Sequence, residues 1–505
     1  MTVLSGLTWF DAAAYLTAGY VSCFIALTIY RLWLSPLSRF PGSPLARVTY
    51  GYEFYYDFFK PGQYFRRINE MHQRYGPVIQ ITPDELHVSD PGYFKHLFVT
   101  AGSRRTDINP GAFRGTHFEG YIKKMRTHDT HRFLRAPIDR YFSRASMMAA
   151  EPRIVSSIKR FTSRLEEFRD TGKPVNMNYA TLSLTVDLIS SIVCEMPTRY
   201  LSDPEFNAAW FKARMKGVMA VPALAMLPEP LRSLCMRFVQ VLSSRASAKV
   251  PYGDYKFEKS FTDCLRPSPT VNFDNSKRTE APKQRYGDDI YDQGGQLIQE
   301  GGIYPTSTCL QTLILHMALS HKTRQALQNE IKTFLLESPG SEITWKELEK
   351  LPYLDACVKE TLRLGGGRLK RATRVFPDNE SYVAGWTVPK GVAVGMTTYW
   401  MHMDPEIFPE PQEFRPERWL ESNKNRNPLA YEYFVPYSKG SRDCLGKHVV
   451  NIALCHIIFE LYKPGAPRLE LFDTGEDAMT LGRGYLFSLP ERESEGVRVL
   501  VHSPA

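Results

Sequence analysis

Tyr437-Ser438-Lys439-Gly440-Ser441-Arg442-Asp443-Cys444-Leu445-Gly446 is the stretch from which the rest of this 505-residue chain is read. One cysteine stands between two glycines, with an arginine two places before it. The apolar run Val449 to Leu461 follows and predicts a buried helix. A thiol at such a loop-to-helix junction meets the free N–H groups and positive end of the helix, which favour the thiolate. One thiolate cannot complete a structural zinc site, which needs four ligands, but it can be the single protein ligand of a haem iron. Gly440 allows a tight turn, and Gly446 lets backbone approach a flat macrocycle closely. The competing reading is a buried, inert cysteine, the commoner fate of an arbitrary Cys. The spacing argues against it.

This loop resembles the haem-binding loop of the cytochrome P-450 family, whose pattern is Phe-x-x-Gly-x-Arg-x-Cys-x-Gly. Gly440, Arg442, Cys444 and Gly446 match, and Tyr437 stands where Phe is usual, keeping an aromatic ring. The resemblance implies that Cys444 is the axial ligand of the haem iron and that Arg442 pairs with a haem propionate.

Hydrophobic residues make up 43% and charged residues 23%, as in a globular protein with a substantial core. The formal charge of +9 is spread along the chain without a long basic tract. That argues against nucleic acid and for a membrane surface or an acidic protein partner. Eight cysteines include no Cys-x-x-Cys pair, so reduced thiols in a cytosol-facing protein are the simpler reading.

Ala12 to Tyr30 carries no charge and is bounded by Asp11 and Arg31, close to the length that spans a bilayer core. A cleavable signal peptide competes with this reading. No Lys or Arg precedes the run, however, while Arg31, Arg39 and Arg47 follow it. The expected organisation is a lumenal terminus over 1–11, a transmembrane anchor over 12–30, a proline-rich hinge over 31–50 and a catalytic domain over 51–505. The stretch Ser35 to Pro44 resembles the hinge of microsomal, especially fungal, members of the family. This implies a single pass through the endoplasmic reticulum membrane with the catalytic domain in the cytosol.

Val78 to Ile81 and Leu86 to Val88 read as short strands. His131 and Arg135 are four apart on a helix-like basic segment and share one face. The family sets such a pair against the haem propionates, and a solvated basic face is the alternative. From Glu151 to about Lys249 the period is helical, with breaks expected at Pro197, Pro204, Pro222 and Pro228-Glu229-Pro230. Cys264 to Gly287 reads as an exposed loop. Asp288 to Leu319 is expected as the long central helix, whose usual family motif is Ala/Gly-Gly-x-acid-Thr-Thr/Ser. Here Gly301-Gly302-Ile303-Tyr304-Pro305-Thr306 puts tyrosine for the acid and proline for the threonine. A proline inside a helix costs about 3 kcal/mol and forces a kink. Thr306, Thr308, Glu300, ordered water or a substrate hydroxyl could replace the missing proton path, Thr306 being the candidate catalytic residue.

Glu360 and Arg363 are three apart and can pair on one helix face. Glu166/Arg169, Glu229/Arg232 and Glu495/Arg498 share that spacing, so order along the chain is what distinguishes them. The family joins such a glutamate and arginine to a third residue, here Arg418, in a buried triad that supports the haem loop. Arg374, rather than Arg371, fits the strand arginine that reaches a propionate. Gly385 to Gly391 reads as a hairpin-like turn, and a β-hairpin is expected beyond Gly465.

The resemblance covers essentially the whole chain. It implies a mainly α fold with a small β region, the cytochrome P-450 fold, behind one transmembrane helix. The implied cofactor is haem b, and NADPH supplies electrons through NADPH–cytochrome P-450 reductase, with Arg132, Lys439 and Lys447 as docking candidates. The implied reaction inserts one oxygen atom from O2 into a small lipophilic substrate, for instance a terpenoid or polyketide of fungal secondary metabolism. Tyr304 and Pro305 keep open an isomerase, dehydratase or peroxide-using enzyme, and a haem-binding protein without catalysis.

Overall fold

The computed structural model describes residues 8–99, 105–116, 119, 122, 125–194, 197–235, 289–340, 342–424, 426–485, 487–491 and 496–504, excepting the side chains of 110, 137, 289–300 and 424. The expected loop over 264–287 lies outside the described residues, as does the end of the helical region near 249.

The first helix, Trp9–Ile29, passes directly into a π-helical turn, Tyr30–Leu34. It starts before Ala12 because Thr8 and Asp11 cap it reciprocally. Thr8 Oγ1 accepts from Asp11 N at 3.2 Å, and Thr8 N donates to Asp11 Oδ2 at 3.0 Å. Asp11, expected to bound the apolar run, is therefore part of the helix. Trp9–Leu34 has mean hydropathy 1.7 and, among the described residues, is the one helix long and apolar enough to cross a membrane.

The proline-rich stretch after it is docked rather than free. Leu37 and Phe40 are buried, and Phe40 lies 5.0 Å from the Trp386 ring. Gln80 N donates to Pro41 O at 2.7 Å, an approach so close that a Cβ on Gly42 would lie 2.3 Å from Gln80 O. Burying two large apolar side chains outweighs the stiffness that alone would make this a spacer.

Five strands form the main sheet in the order β1 (Val78–Thr82), β2 (Glu85–Val88), β8 (Ala393–Met396), β5 (Ala372–Val375) and β3 (Asp107–Ile108). Only the β2–β8 pair is parallel. Its edge sets Arg374 opposite Ile108. The short hairpin of β6 (Ser381–Val383) and β7 (Trp386–Val388) turns at Ala384 and Gly385, both at positive φ. The expected turn over 385–391 thus contains strand β7, with Gly385 in the turn before it. Beyond Gly465 the chain forms more than one hairpin. β10 (Leu481–Gly484) pairs with β11 (Ser488–Pro490), while β12 (Arg498–His502) lies between β4 (Val175–Asn176) and β9 (Arg468–Leu471).

Helices dominate the largest core cluster. Asp289–Leu319 is the central helix, and Met177–Val193 and Pro352–Gly365 pack on it. Arg144–Glu166 packs on Lys447–Tyr462, the helix that follows the cysteine loop. Residues 306 to 315 of the central helix are all buried, the polar Thr306, Ser307, Thr308, Gln311 and Thr312 included. The break expected at Pro222 is absent, because Ala208–Met226 runs through it. That segment is rich in Ala, Met, Lys and Arg, whose helix propensity offsets one lost backbone bond.

Candidate functional site

The cysteine loop is built from backbone constraints. Gly440 has φ +85°, and a Cβ there would lie 2.2 Å from Phe98 O, so only glycine fits. Cys444 N donates to Tyr437 O at 2.8 Å, closing the turn that presents the sulfur. Tyr437 keeps its extra hydroxyl satisfied by donating to Asn451 Oδ1 at 2.8 Å, one turn into the following helix. Gly446 caps that helix, its N–H faces the thiol, and a Cβ built on it meets nothing within 4 Å.

Cys444 is accessible, yet burial raises its thiol pKa, and the Gly446 N–H, Arg135 and Lys447 oppose this without cancelling it. Desolvation outweighs the helix end, whose Gly446 N–H nevertheless acts in the direction of the thiolate, as the sequence reading expects. The sulfur is accessible, and next to it Gly446 borders open space.

Beside it stands a group of cations with little to neutralise them. Arg374 is buried, and burial, then Arg442 and Arg368, lower its pKa to about 9. Its Nη1 donates only to Thr373 O, at 2.9 Å. Arg442 donates to three backbone carbonyls, Met125, Arg126 and Thr127. Its Nε is buried without a partner, and burial lowers its pKa to about 10 while Asp107 acts against that. His131 is buried with Nδ1 unpartnered, and burial followed by Arg442, Arg135 and Arg374 pushes its pKa down to about 2. Among the described residues no carboxylate bonds to any of the three.

Arg135 differs from this group. It donates to Asp443 O at 2.7 Å, to Asp443 Oδ1 at 3.0 Å and to Asp139 Oδ1 at 2.7 Å, so it braces the residue before Cys444 with its charge already matched. Arg371 is matched too, between Glu53 and Glu85 at 2.7–2.9 Å. Arg374 is three positions further on and, among the described residues, has no acid.

The central helix approaches the loop from the other side. The Tyr437 phenol, its pKa raised by burial, feels both Cys444 and Cys309. In the run 301–310 of that helix, only Gly301 and Pro305 are exposed, one turn apart on one face. The helix continues unbroken through Pro305, which offers the Gly301 carbonyl no donor. Tyr304 is buried and stacks on Phe487 at 4.6 Å. Thr308 donates to Tyr304 O at 3.0 Å, and Ser307 lies 2.7 Å from Thr181 Oγ1. Thr306 is buried and makes no hydrogen bond among the described residues.

Glu360 and Arg363 are fully buried, and the partly buried Arg418 joins them. Glu360 accepts from Arg363 at 2.7 and 2.9 Å, from Arg418 Nε at 2.9 Å, from Arg415 N at 3.0 Å and from Trp419 Nε1 at 2.8 Å. Arg363 also caps the carbonyls of His402, Pro411 and Glu413. Burial raises the Glu360 pKa, but the two guanidiniums prevail and hold it below the usual carboxylate range. Sequence reasoning missed Trp419 as a partner. It also missed Arg368, although the run 361–376 holds five cations and no acid.

The residues fit haem b. The macrocycle requires one accessible sulfur, clearance at Gly446, and cations for two propionates. Cys444, Arg374, Arg442 and the neutral His131 supply these. A cavity of about 1090 Å³ elsewhere, against the buried Glu151–His456 pair, contains none of these residues.

Fold and site together define a haem-thiolate protein. The cytochrome P450 family model matches residues 41–458, and the chain belongs to that family and is an oxidoreductase of its monooxygenase class. It is 34% identical to the cytochrome P450 monooxygenase oblB of Cochliobolus heterostrophus, over 97% of this chain and 95% of that one. It is 32% identical to the stellatic acid synthase of Emericella variicolor, over 94% and 92%. Against the fusicoccadiene C-8 hydroxylase of Phomopsis amygdali the identity is 29%, over 95% and 94%.

Proposed function

We propose that the protein inserts one oxygen atom from O2 into a lipophilic terpenoid of fungal secondary metabolism, drawing two electrons from NADPH through a reductase. The observation that carries this is the accessible Cys444 thiol on a loop whose Arg442 acts electrostatically on the acid-free Arg374 and His131. Haem b, held by these residues, supplies oxygen activation, which thiolate donation favours. Relatives named for hydroxylating a diene and for making an acid support an apolar carbon skeleton as the substrate.

The chain's own contributions are positional. Glu360 and its partners fix the segment leading to the cysteine loop, and Arg135 fixes Asp443 within it. Thr306 Oγ1, without a hydrogen bond among the described residues, carries the proton towards the bound oxygen, whereas the Thr308 hydroxyl is spent on the backbone. Trp9–Leu34 anchors the protein in the endoplasmic reticulum membrane, with the catalytic domain cytosolic. Arg132 is exposed for an acidic reductase face, while Lys447 is paired to Asp443 and Lys439 to Glu432 O.

The test is co-expression with a reductase under ¹⁸O2, with products compared with and without the protein. One labelled oxygen per product supports the proposal. Tyr304 and Pro305, in place of an acid and a threonine, favour a second reading, a haem enzyme that isomerises or dehydrates. That reading predicts unlabelled product without NADPH.

A further inference from the structure

We infer that Arg368 gives the substrate site a fixed positive charge that holds a carboxylate on the substrate. This deepens the proposed function and rests on it, since it names the polar group that an otherwise lipophilic substrate must carry.

Placement is the first argument. Arg368 sits in the turn between the helix ending at Gly365 and strand β5. Its neighbours are clasped by one side chain: Leu369 N donates to Ser488 Oγ at 3.0 Å, and Ser488 Oγ donates to Gly367 O at 2.9 Å. Ser488 adjoins Phe487, which stacks on Tyr304 of the central helix. On its other side Arg368 acts electrostatically on Arg374, which in turn feels Arg442, two residues from Cys444. Arg368 therefore lies between the Tyr304–Phe487 stack and the cations beside the sulfur. Its side chain is partly accessible, so an anion can reach it, and burial lowers its pKa.

The second argument is its lack of a counter-charge. Arg368 makes no side-chain hydrogen bond or ion pair among the described residues. Its near neighbours are matched. Arg371 holds Glu53 and Glu85, and Lys370 feels both Glu53 and Asp57. A guanidinium is not deprotonated in a protein, and an uncompensated one inside a fold is costly.

Counting charges decides between a structural and a recognition role. Haem b brings two propionates. Arg374 and Arg442 match them, with His131 present as a neutral donor. Arg368 is then one cation in excess. A planar guanidinium binds a carboxylate through two parallel hydrogen bonds, and apolar surroundings strengthen that pair.

The test uses the full-length holoenzyme and two acid–ester pairs, abietic acid with methyl abietate and palmitic acid with methyl palmitate. Binding is read by equilibrium dialysis near neutral pH. The wild-type protein should bind at least one acid about tenfold or more tightly than its ester. Arg368→Met should bind acid and ester alike, and Arg368→Lys should keep part of the preference. Equal binding of acid and ester by the wild type in both pairs overturns the inference and needs no variant. So does an acid preference surviving in Arg368→Met. Loss of haem from Arg368→Met and Arg368→Lys alike also overturns it, since Arg368 would then be a cofactor ligand. The reduced carbon-monoxide spectrum of the wild type separates the two levels. A long-wavelength band with no acid preference sinks the inference alone, whereas absence of the band sinks the proposed function with it.

Discussion

Buried arginine occurs in two settings in this molecule. Around Glu360, and again around Arg371, each guanidinium meets carboxylates or carbonyls at 2.7–3.1 Å. Among the described residues, the guanidiniums of Arg442, two residues from Cys444, and of Arg374 and Arg368 meet no carboxylate, and burial depresses all three pKa values. A charge that is fully matched within the chain serves the fold. A charge left open is a request for an outside anion, and its cost is returned when that anion binds.

The contrast predicts its largest effect at Glu360. Replacing it with Gln strands Arg363 and Arg418 without a counter-charge and should cost about 3–5 kcal/mol in denaturant unfolding. A loss below about 1 kcal/mol would mean that the cluster is not the matched element described. Next, Arg371→Met should destabilise the haem-free protein by about 3 kcal/mol, because Glu53 and Glu85 stay buried unpaired. Arg374→Met should leave the haem-free protein as stable as before, or more so, while lowering haem retention on dialysis. Equal stability losses for the two variants would erase the distinction.

A pH measurement sharpens the same point. Asp57 packs beside Glu53, and burial, then Glu53, raise its pKa to about 7. Its unfolded value is about 3.9. Between those values the folded state binds more protons than the unfolded one, so this group's contribution to stability falls as pH rises from about 4 to 7. Asp57→Asn should flatten that fall in a series of unfolding curves. Glu360 runs the opposite way, since its lowered pKa gives stability that is complete above the unfolded carboxylate value and is lost on acidification. The smallest effect is Tyr437→Phe, which removes the bond to Asn451. It should cost about 1 kcal/mol with the absorption spectrum unchanged.

Much of this was legible in the sequence, for reasons of locality. The cysteine loop is ten consecutive residues under steric rules, and Gly440 is forced by its φ and by Phe98. The central helix was readable from the resemblance, and its end at Leu319 is where that reading set it. What escaped depends on partners remote in sequence. Arg135, read as a propionate partner, also finds Asp443 across 308 positions and braces the loop. The proline-rich stretch docks because Phe40 meets Trp386. The thiol pKa rises because burial around Cys444, a property of the whole fold, exceeds the local helix-end effect. Arg368 carries no motif, and only the absence of a nearby acid marks it.

Absorption of the reduced carbon-monoxide complex, recorded for the wild type and for Cys444→Ser, tests the account most directly. The wild type should absorb at the longer wavelength that thiolate ligation produces, and the serine variant should lose that band while keeping its fold. Purified wild type that stays colourless after growth with ample haem precursor, or a band that persists without Cys444, contradicts it.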